Sequence, residues 1–386
     1  MIGVCIKYFH ANYGSMLQAY ATVKMLEERG IDYELIRYEK DKSLRRIISS
    51  LPRLFNGVLL NDKYEALLKT LGLKKHPSFA EEDTKRMISF LMFCENNFTK
   101  ISPIFKGYDS LCEGAKRYSA VLTGSDQLWS PAGLPTNFYN LMFVPNSIRK
   151  ISYASSFGVK TIPWYQRSRT AYFLKRIDYI SMRENRGSEI VFELIGKKVP
   201  TVLDPVFCFD CKGWERLVTP RRIVEEPYIF AYFLGNNPEY RKTVKKAAEQ
   251  LCLKIVALRH LDQYIPSDET FGDYAPYDVG PDSFLNLLRG AEYVCTDSFH
   301  GACFSIINSK QFVVFNRYSE QSKHSKNSRI DSLCENLGLE ERRFSDKQSL
   351  KEQLTADIDY VEVYKKLEII KQRSNHYLDK ALGGLK

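Results

Sequence analysis

The stretch EYVCTDSFHGACFSIINSKQFVVFN, residues 292–316, carries the pattern that decides the fold. Its short apolar run at residues 293–295 is typical of a strand that is buried on both faces, as in a parallel sheet. Small polar residues follow, and apolar residues then recur at helical spacing until a second buried strand begins at Gln311. The stretch therefore predicts a β–α–β unit of an α/β protein.

His300 falls on the first turn of the predicted helix, just past the carboxyl end of the strand. Ligands of open α/β sheets bind at this edge of the sheet. The free N–H groups at the amino end of a helix also attract anions. Two interpretations are open at this point: His300 acts on an anionic substrate, or it satisfies a neighbour beside a capped helix.

The same alternation of strand and helix runs through both halves of the chain. In the first half the predicted strands are residues 2–6, 33–38, 118–122, 150–154 and 179–182. In the second half the predicted elements before the opening stretch are strands 228–233 and 254–258 and helices 238–251 and 281–289. This alternation predicts an α/β protein with a parallel sheet in each half.

The length of 386 residues favours two domains over a single core. We place the first domain at residues 1–205, with a helical excursion at residues 42–100. The second domain is expected at residues 206–345. The remaining residues, 346–386, are predicted to be C-terminal helices that return to the first domain, and residues 360–382 have the pattern of one long helix.

The chain has 56 Lys and Arg residues against 46 Asp and Glu residues, a formal net charge of +10. This excess favours anionic partners such as phosphorylated metabolites, lipid diphosphates or an acidic membrane face. No segment resembles a nucleic-acid-binding module, so we expect no nucleic-acid partner. No apolar run reaches the length of a membrane span, and the first residues lack a signal-peptide pattern, so we expect a cytoplasmic protein.

The nine cysteines are scattered mostly within apolar runs, which indicates reduced core thiols. Cys208 and Cys211 form a single C-x-x-C pair. Because no second pair or histidine lies nearby, this spacing favours a structural role over zinc or redox chemistry. We therefore expect no metal site.

Residues 42–60 interleave basic side chains with apolar ones. Two interpretations are open. The segment is either a helical hairpin packed on the sheet, or a peripheral surface that rests on the inner face of a membrane or receives a lipid-linked acceptor. A further amphipathic helix is predicted near residues 82–96.

A polar loop joins the first strand to the first helix, and its candidate substrate contacts are Asn12, Gly14 and the amide of Ser15. Ser15 is the predicted N-cap of that helix. The loop lacks the G-x-G-x-x-G pattern, so no dinucleotide is indicated. A plain connection between strand and helix is the alternative interpretation.

The strand at residues 118–122 leads directly into Ser125, Asp126 and Trp129. A carboxylate at this edge could orient or deprotonate a sugar hydroxyl, and Trp129 could supply an apolar face for a sugar ring. The alternative is a turn aspartate that caps local amides, which is common.

Arg183 follows the strand at residues 179–182, where a guanidinium suits bidentate capture of phosphate or carboxylate. A surface pair with Glu184 is the alternative. Further along, Lys323 and Arg329 belong to a polar basic loop that either closes over an anion or lies in solvent.

Taken together, seven short motifs in order resemble the polysaccharide pyruvyl transferase family. They are N-Y-G-S-M-L-Q-A-Y-A (12–21), T-G-S-D-Q-L-W (123–129), I-S-Y-A-S-S-F-G (151–158), S-M-R-E (181–184), L-D-P (203–205), T-D-S-F-H-G (296–301) and N-S-R-I (327–330). Each motif is weak alone, but the set in this order covers most of the chain.

The resemblance implies an α/β fold with two Rossmann-like domains facing across a cleft, as in GT-B glycosyltransferases, each with a parallel sheet. It implies transfer of the pyruvyl unit of phosphoenolpyruvate to a hexose of a glycan or lipid-linked glycan precursor, as a cyclic ketal and without a further cofactor. Arg183 and His300 match the family's arginine and histidine positions. Some members carry a second arginine two residues before the histidine, where this chain has Ser298. That part of phosphate binding is expected to pass to Lys323 or Arg329.

On this resemblance, His300 is the expected general acid or phosphate-assisting donor, and Asp126 the base or orienter of the acceptor hydroxyl. The expected donor-binding residues are Arg183, Ser298, Phe299, Gly301, Lys323 and Arg329. The expected acceptor-binding residues are Asn12, Tyr13, Gly14, Ser125 and Trp129. Two rival hypotheses are a GT-B glycosyltransferase that uses a nucleotide sugar and a catalytically silent glycan-binding protein.

Overall fold

The computed structural model describes residues 1–40, 77–131, 137–260, 264–317 and 328–385. The basic and apolar segment at residues 42–60, and Lys323, lie outside these ranges. None of the helices in the described ranges combines the length and the hydropathy that crossing a bilayer requires.

The first sheet has six parallel strands in the order β3-β2-β1-β4-β5-β6. They are β1 (Ile2–Cys5), β2 (Tyr33–Glu39), β3 (Ile101–Lys106), β4 (Ala120–Thr123), β5 (Arg149–Ser155) and β6 (Tyr179–Met182). The chain moves outward from β1 to β3 and then returns to the other side of β1 with β4. The loops after β1 and β4 therefore flank the point where the strand order reverses, which is where ligands of such sheets bind.

The helices around this sheet are α1 (Tyr13–Glu28), α2 (Pro77–Asn97), α3 (Tyr108–Ala115), α4 (Trp164–Arg176) and α5 (Asn185–Ile195). The helix α1 begins three residues earlier than a Ser15 cap predicts. Asn12 is its N-cap, and the Asn12 side chain accepts a hydrogen bond from the backbone N–H of Ser15 at 3.1 Å. The prediction that Ser15 caps the helix is therefore wrong, and its hydroxyl is free to point elsewhere.

The second sheet has four parallel strands in the order β10-β9-β7-β8. They are β7 (Tyr228–Tyr232), β8 (Lys254–Leu258), β9 (Tyr293–Thr296) and β10 (Gln311–Val314). Its helices are α6 (Cys211–Glu215), α7 (Pro238–Leu251), α8 (Pro281–Gly290), α9 (Phe299–Ile307) and α10 (Ser328–Leu337). The order reverses between β7 and β9, and α9 begins directly after β9. The β–α–β unit predicted from residues 292–316 is confirmed.

Two helices close the chain, α11 (Leu350–Thr355) and α12 (Tyr360–Leu382). The amino-terminal part of α12 contacts α9, because the Tyr364 hydroxyl donates to the Ile306 carbonyl at 2.9 Å. Its carboxyl-terminal part lies on the first sheet, where the Tyr377 hydroxyl donates to the Ser152 carbonyl of β5 at 2.9 Å. The long helix thus contacts the layers of both sheets.

The α/β architecture with parallel sheets and two Rossmann-like domains is as predicted, and one continuous core joins the two halves. Tyr13 at the start of α1 is fully buried, and its ring stacks on that of Phe284 in α8 with centroids 4.9 Å apart. Its hydroxyl donates to the Val279 carbonyl at 3.1 Å. The amino end of α1 is therefore held against the second domain by both apolar contact and a hydrogen bond.

Candidate functional site

A cluster of charged side chains lies where the carboxyl edges of the two sheets face each other. We refer to the following residues as the charged cluster: Lys7, Asp126, Arg183, Asp204, His300 and Arg329. Both sheets place their order-reversal points at this cleft, so the fold brings the loops of both domains to one place.

The carboxylate of Asp204 is the centre of the cluster, and its side chain is fully buried. Its Oδ2 atom lies 2.7 Å from Arg183 Nη1, which comes from the end of β6, and accepts a hydrogen bond from the Ser125 hydroxyl at 2.8 Å. The same oxygen lies 3.5 Å from Nε2 of His300, which comes from the second domain. Arg183 and His300 thus converge on one oxygen atom from opposite domains.

His300 is placed by the first turn of α9. The Ser298 side chain caps this helix by accepting a hydrogen bond from the N–H of Gly301 at 3.3 Å. On its other side the imidazole lies against the backbone of Gly14, where a Cβ atom would fall 2.1 Å from Nδ1. Among the described residues, Nε2 of His300 has no hydrogen-bond partner. Its charged neighbour is Oδ2 of Asp204 at 3.5 Å, so this buried nitrogen faces that carboxylate.

Asp126 follows β4 in the left-handed backbone region, with φ of 70°. Its Oδ2 accepts a hydrogen bond from the Ser15 hydroxyl at 3.0 Å and lies 3.8 Å from Lys7 Nζ. Its Oδ1 lies 3.5 Å from Arg183 Nη2. Burial alone would raise the pKa of Asp126, but the nearby charges of Lys7, Arg183 and His300 hold it well below its usual value.

The pKa of Asp204 is shifted in the same direction and for the same reason. Burial disfavours its charged form, yet the neighbouring His300 and Arg183 lower the pKa of Asp204 below its usual value. Both carboxylates are therefore ionised at neutral pH. An ionised carboxylate accepts hydrogen bonds but is a weak base, so Asp126 suits orientation of a hydroxyl better than removal of its proton.

Arg329 in α10 is buried at the back of the cluster. The side-chain oxygen of Gln127, with the amide oriented for this contact, accepts from its Nε at 3.0 Å and Nη2 at 3.1 Å. Burial and the charge of Arg183 lower the pKa of Arg329 to about 10, so the guanidinium remains charged at neutral pH. The Phe299 ring contacts both guanidinium groups, with centroid distances of 4.5 Å to Arg183 Cζ and 5.7 Å to Arg329 Cζ.

A model of the polysaccharide pyruvyl transferase family matches residues 12–319, which include the whole charged cluster except Lys7 and Arg329. This chain belongs to the polysaccharide pyruvyl transferase family. No curated protein matches it in sequence.

Solved structures resemble this family member in fold at low sequence identity. One UDP-N-acetylglucosamine 2-epimerase is 12% identical with a TM-score of 0.53, and the match covers 99% of this chain and 94% of the other. A protein from Listeria monocytogenes assigned as a UDP-N-acetylglucosamine 2-epimerase is 11% identical with a TM-score of 0.51, covering 96% and 91%. The S. aureus protein MnaA in complex with UDP is 12% identical with a TM-score of 0.50, covering 99% and 96%. These likenesses support the GT-B fold alone.

Two predicted acceptor residues of this pyruvyl transferase family member do not face the cleft. Trp129 is fully buried against Phe157 and Phe173, and its indole N–H donates to the Tyr139 carbonyl at 3.1 Å. It presents no ring face to a sugar, and the prediction of a sugar-stacking tryptophan is corrected. Tyr13 is likewise fully buried at the contact between the domains, so its predicted acceptor role is also corrected.

The other predicted residues fall into two groups. Ser125, Asp126, Arg183, Phe299, His300 and Arg329 are brought together in the charged cluster or in contact with it. Asn12 and Ser298 instead use their side chains as helix caps, and Gly14 contributes by the close approach of its backbone to His300. Gly301 supplies the capped N–H of α9.

Three residues of the site were missed by sequence reasoning: Lys7, Gln127 and Asp204. Asp204 lies inside the L-D-P motif but was interpreted only as a domain boundary. Lys7 directly follows the apolar run of β1, and this position after a strand was the available signal. In the described ranges, no three His, Cys, Asp or Glu side chains are grouped as metal ligands would be.

Proposed function

We propose that this protein transfers the pyruvyl unit of phosphoenolpyruvate to a hexose of a glycan or lipid-linked glycan precursor and closes it as a cyclic ketal. Membership of the pyruvyl transferase family supports this reaction class. The observation that carries the proposal is the convergence of Arg183 and His300 on one oxygen of Asp204 from opposite domains. This arrangement supplies an imidazole and fixed charges at the cleft between the lobes.

The proposed reaction adds two hydroxyl groups of one hexose to C2 of phosphoenolpyruvate and releases inorganic phosphate. The methylene carbon gains one proton and becomes a methyl group, which makes C2 electrophilic for the first hydroxyl. The second hydroxyl then displaces phosphate and closes the ring. Of the two hydroxyl protons released, one replaces the proton given to the methylene carbon and the other leaves with phosphate.

His300 is the proposed general acid that protonates the methylene carbon. Its Nε2 has no hydrogen-bond partner among the described residues, and the side chain is 8% exposed, so the nitrogen faces a nearly dry site. The carboxylate of Asp204 lies 3.5 Å from Nε2 and on the same side of the ring as the site. Histidine is the side chain that most readily holds and gives a proton near neutral pH.

Arg183 and Asp126 have supporting roles in this proposal. Arg183 offers Nε, which lacks a hydrogen-bond partner among the described residues, to an anionic group of the donor, while its Nη2 stays 3.5 Å from Asp126 Oδ1. Asp126 orients the acceptor hydroxyl, because its carboxylate stays ionised and accepts hydrogen bonds. The proposed mechanism requires no metal ion.

We further propose that the acceptor is presented at the inner face of a membrane. The net charge of +10 favours an anionic surface or a lipid diphosphate. Four apolar side chains on one face of α2 are also 37–58% exposed: Met87, Ile88, Leu91 and Met92. An exposed apolar face of this kind suits contact with lipid.

The reaction is tested by incubating the purified protein with phosphoenolpyruvate and hexose-bearing glycans and measuring release of inorganic phosphate. We expect release that depends on the acceptor, with a product whose mass rises by one pyruvyl ketal. Thermal stabilisation by phosphoenolpyruvate is the matching binding test, because a ligand of the folded state raises the midpoint of unfolding. Stabilisation by UDP and UDP-sugars, without an effect of phosphoenolpyruvate, would instead support a nucleotide-sugar transferase.

A further inference from the structure

We propose that Lys7 is a donor-binding residue whose ammonium group contacts an oxyanion of phosphoenolpyruvate at the mouth of the charged cluster. This inference rests on the proposed function and adds a residue that neither the sequence motifs nor the family match assigns, since the matched region begins at residue 12.

The position of Lys7 follows from the sheet. It comes two residues after the end of β1, on the strand beside which the order of the first sheet reverses. Asp126 follows β4, the neighbour across that reversal, and its Oδ2 lies 3.8 Å from Lys7 Nζ. A cation at this edge faces the ligand crevice of an open α/β sheet.

Exposure separates Lys7 from the other charged groups. The Lys7 side chain is 32% exposed, that of Asp126 is 12% exposed and that of His300 is 8% exposed, whereas that of Arg183 is 1% exposed. A ligand entering from solvent therefore meets Lys7 first. Arg183 lies below it, held by Asp204 at 2.7 Å and by the ring of Phe299.

The remaining cation of the cluster is less accessible. The guanidinium of Arg329 is buried and is held by the Gln127 amide oxygen through two hydrogen bonds. Position 298 contributes no charge, since it is a serine, and the Ser298 hydroxyl caps α9. Within the described part of the cluster, Lys7 is thus the cation best placed to reach an anionic ligand at the cleft mouth.

Lys7 can exchange Asp126 for a ligand without leaving that carboxylate unpaired. Asp126 keeps the Ser15 hydroxyl at 3.0 Å and Arg183 Nη2 at 3.5 Å when Lys7 moves away. A lysine suits this exchange, since its ammonium is a compact charge on a flexible stem with three rotatable donors. Asp126 would hold the ammonium in place until the donor arrives.

The test compares Lys7→Met and Lys7→Arg with wild-type protein by isothermal titration calorimetry. The ligands are phosphoenolpyruvate, inorganic phosphate and pyruvate. Because a hydrogen bond to a charged group contributes a factor of about 10 to 100 in binding, we expect Lys7→Met to weaken phosphoenolpyruvate binding by that factor. Lys7→Arg should retain most of the affinity. A loss that is shared with inorganic phosphate assigns Lys7 to the phosphate, and one shared with pyruvate assigns it to the carboxylate.

Kinetics separate a binding role from a structural one. We expect Lys7→Met to raise KM for phosphoenolpyruvate while kcat, KM for the acceptor and the unfolding midpoint stay close to wild type. The matched control is Lys24→Met, because Lys24 is a half-buried lysine of α1 whose ion pair with Glu27 and contact with the Tyr20 ring both stay within its own helix. This control should leave all four quantities unchanged.

The two hypotheses fail in different ways. If wild-type protein binds phosphoenolpyruvate and Lys7→Met binds it equally well, the role of Lys7 is overturned and the proposed function stands. If Lys7→Met lowers the unfolding midpoint and raises both KM values together, Lys7 is structural and the inference is also overturned. If wild-type protein does not bind phosphoenolpyruvate, the proposed function fails, and the role of Lys7 fails with it.

Discussion

Gly14 lies against the imidazole of His300, so close that a Cβ atom on the glycine would fall 2.1 Å from Nδ1. Gly14 is in the first turn of α1, beside the first sheet, and His300 is in the first turn of α9, beside the second. A glycine at position 14 therefore allows the amino ends of two helices from opposite domains to meet at the proposed general acid.

Gly14→Ala should displace the His300 ring. Since the ring cannot stay within 2.1 Å of a methyl group, it must move by an amount comparable to the 1 Å misplacement that costs an enzyme roughly 100-fold in rate. We expect a loss of that order in kcat with phosphoenolpyruvate, measured by phosphate release, and a lower unfolding midpoint, because the added methyl group would also fall 2.8 Å from His300 Cβ and overpacking a core costs about 1–3 kcal/mol.

A double variant tests whether the Gly14 effect passes through His300. If it does, adding Gly14→Ala to a protein that already carries His300→Ala should cause little further loss, because the group being displaced is absent. Full additivity of the two losses would contradict this explanation.

His300→Ala alone should lower kcat by about 10²- to 10⁴-fold, the usual contribution of one positioned proton transfer. The fold should persist, because the buried Asp204 carboxylate keeps Arg183 Nη1 at 2.7 Å and the Ser125 hydroxyl at 2.8 Å when the imidazole is removed. Circular dichroism and thermal unfolding check the fold, and phosphate release checks turnover. His376→Ala on the exposed side of α12 is the control and should behave as wild type. Near-normal turnover by His300→Ala would remove His300 from the mechanism.

Local patterns were sufficient to predict where Arg183 and His300 lie. Each follows a short apolar run that forms a buried strand, and the carboxyl ends of parallel strands share one edge of a sheet. The predicted strands and the long helix at residues 360–382 appear with closely matching bounds for the same reason. The strand β3 (Ile101–Lys106) was not predicted, because it lies at the edge of the sheet, where exposed Pro103 and Ile104 follow buried Ser102 and the period-two alternation of a half-buried strand is absent.

Tertiary packing decided the residues that sequence reasoning placed wrongly. An aromatic residue after a strand can face a cleft or a core, and Trp129 faces the core because Phe173 of α4 packs on it. The helix α4 itself was not predicted. The role of Asp204 also depends on tertiary packing. Its contacts with Arg183 and His300 join residues that are distant in the sequence. No local pattern contains that information.

Arg183→Met should destabilise the fold strongly. The Asp204 side chain is 0% exposed, and the variant removes its partner at 2.7 Å, so a buried carboxylate loses its closest counter-charge. Breaking a buried pair in this way costs about 3–5 kcal/mol. The free energy of unfolding in urea measures the loss.

The double variant Arg183→Met/Asp204→Leu should be less destabilised than Arg183→Met, because both buried charges are then removed together. If the loss in the free energy of unfolding of the double variant equals the sum of the losses of the two single variants, the two side chains do not act as a pair.

Acidification should unfold the protein through Asp126 and Asp204. The pKa values of both groups are lowered below the usual value of about 3.9, so each contributes stability that is complete above that pH. This contribution is lost as the pH falls further and the folded protein takes up the protons. We expect the free energy of unfolding to decrease steeply below pH ~4. Between pH 5 and 8 these two groups should not make the free energy of unfolding depend on pH. Asp126→Asn should flatten the acid limb, whereas parallel curves for variant and wild type would contradict the assignment.

Trp129 gives the clearest contrast between a binding role and a packing role. Trp129→Ala removes a fully buried ring that contacts Phe157 and Phe173, which should lower the free energy of unfolding by about 3–5 kcal/mol. Trp129→Phe keeps most of that packing and loses the hydrogen bond to the Tyr139 carbonyl. We expect it to be about 1–3 kcal/mol less stable but to keep the wild-type KM for the acceptor, since no ring face is offered to the sugar. A raised acceptor KM in Trp129→Phe with unchanged stability would place the tryptophan in the binding site. Direct contact with the sugar raises the acceptor KM without a loss of stability, whereas a packing role lowers stability without raising the acceptor KM.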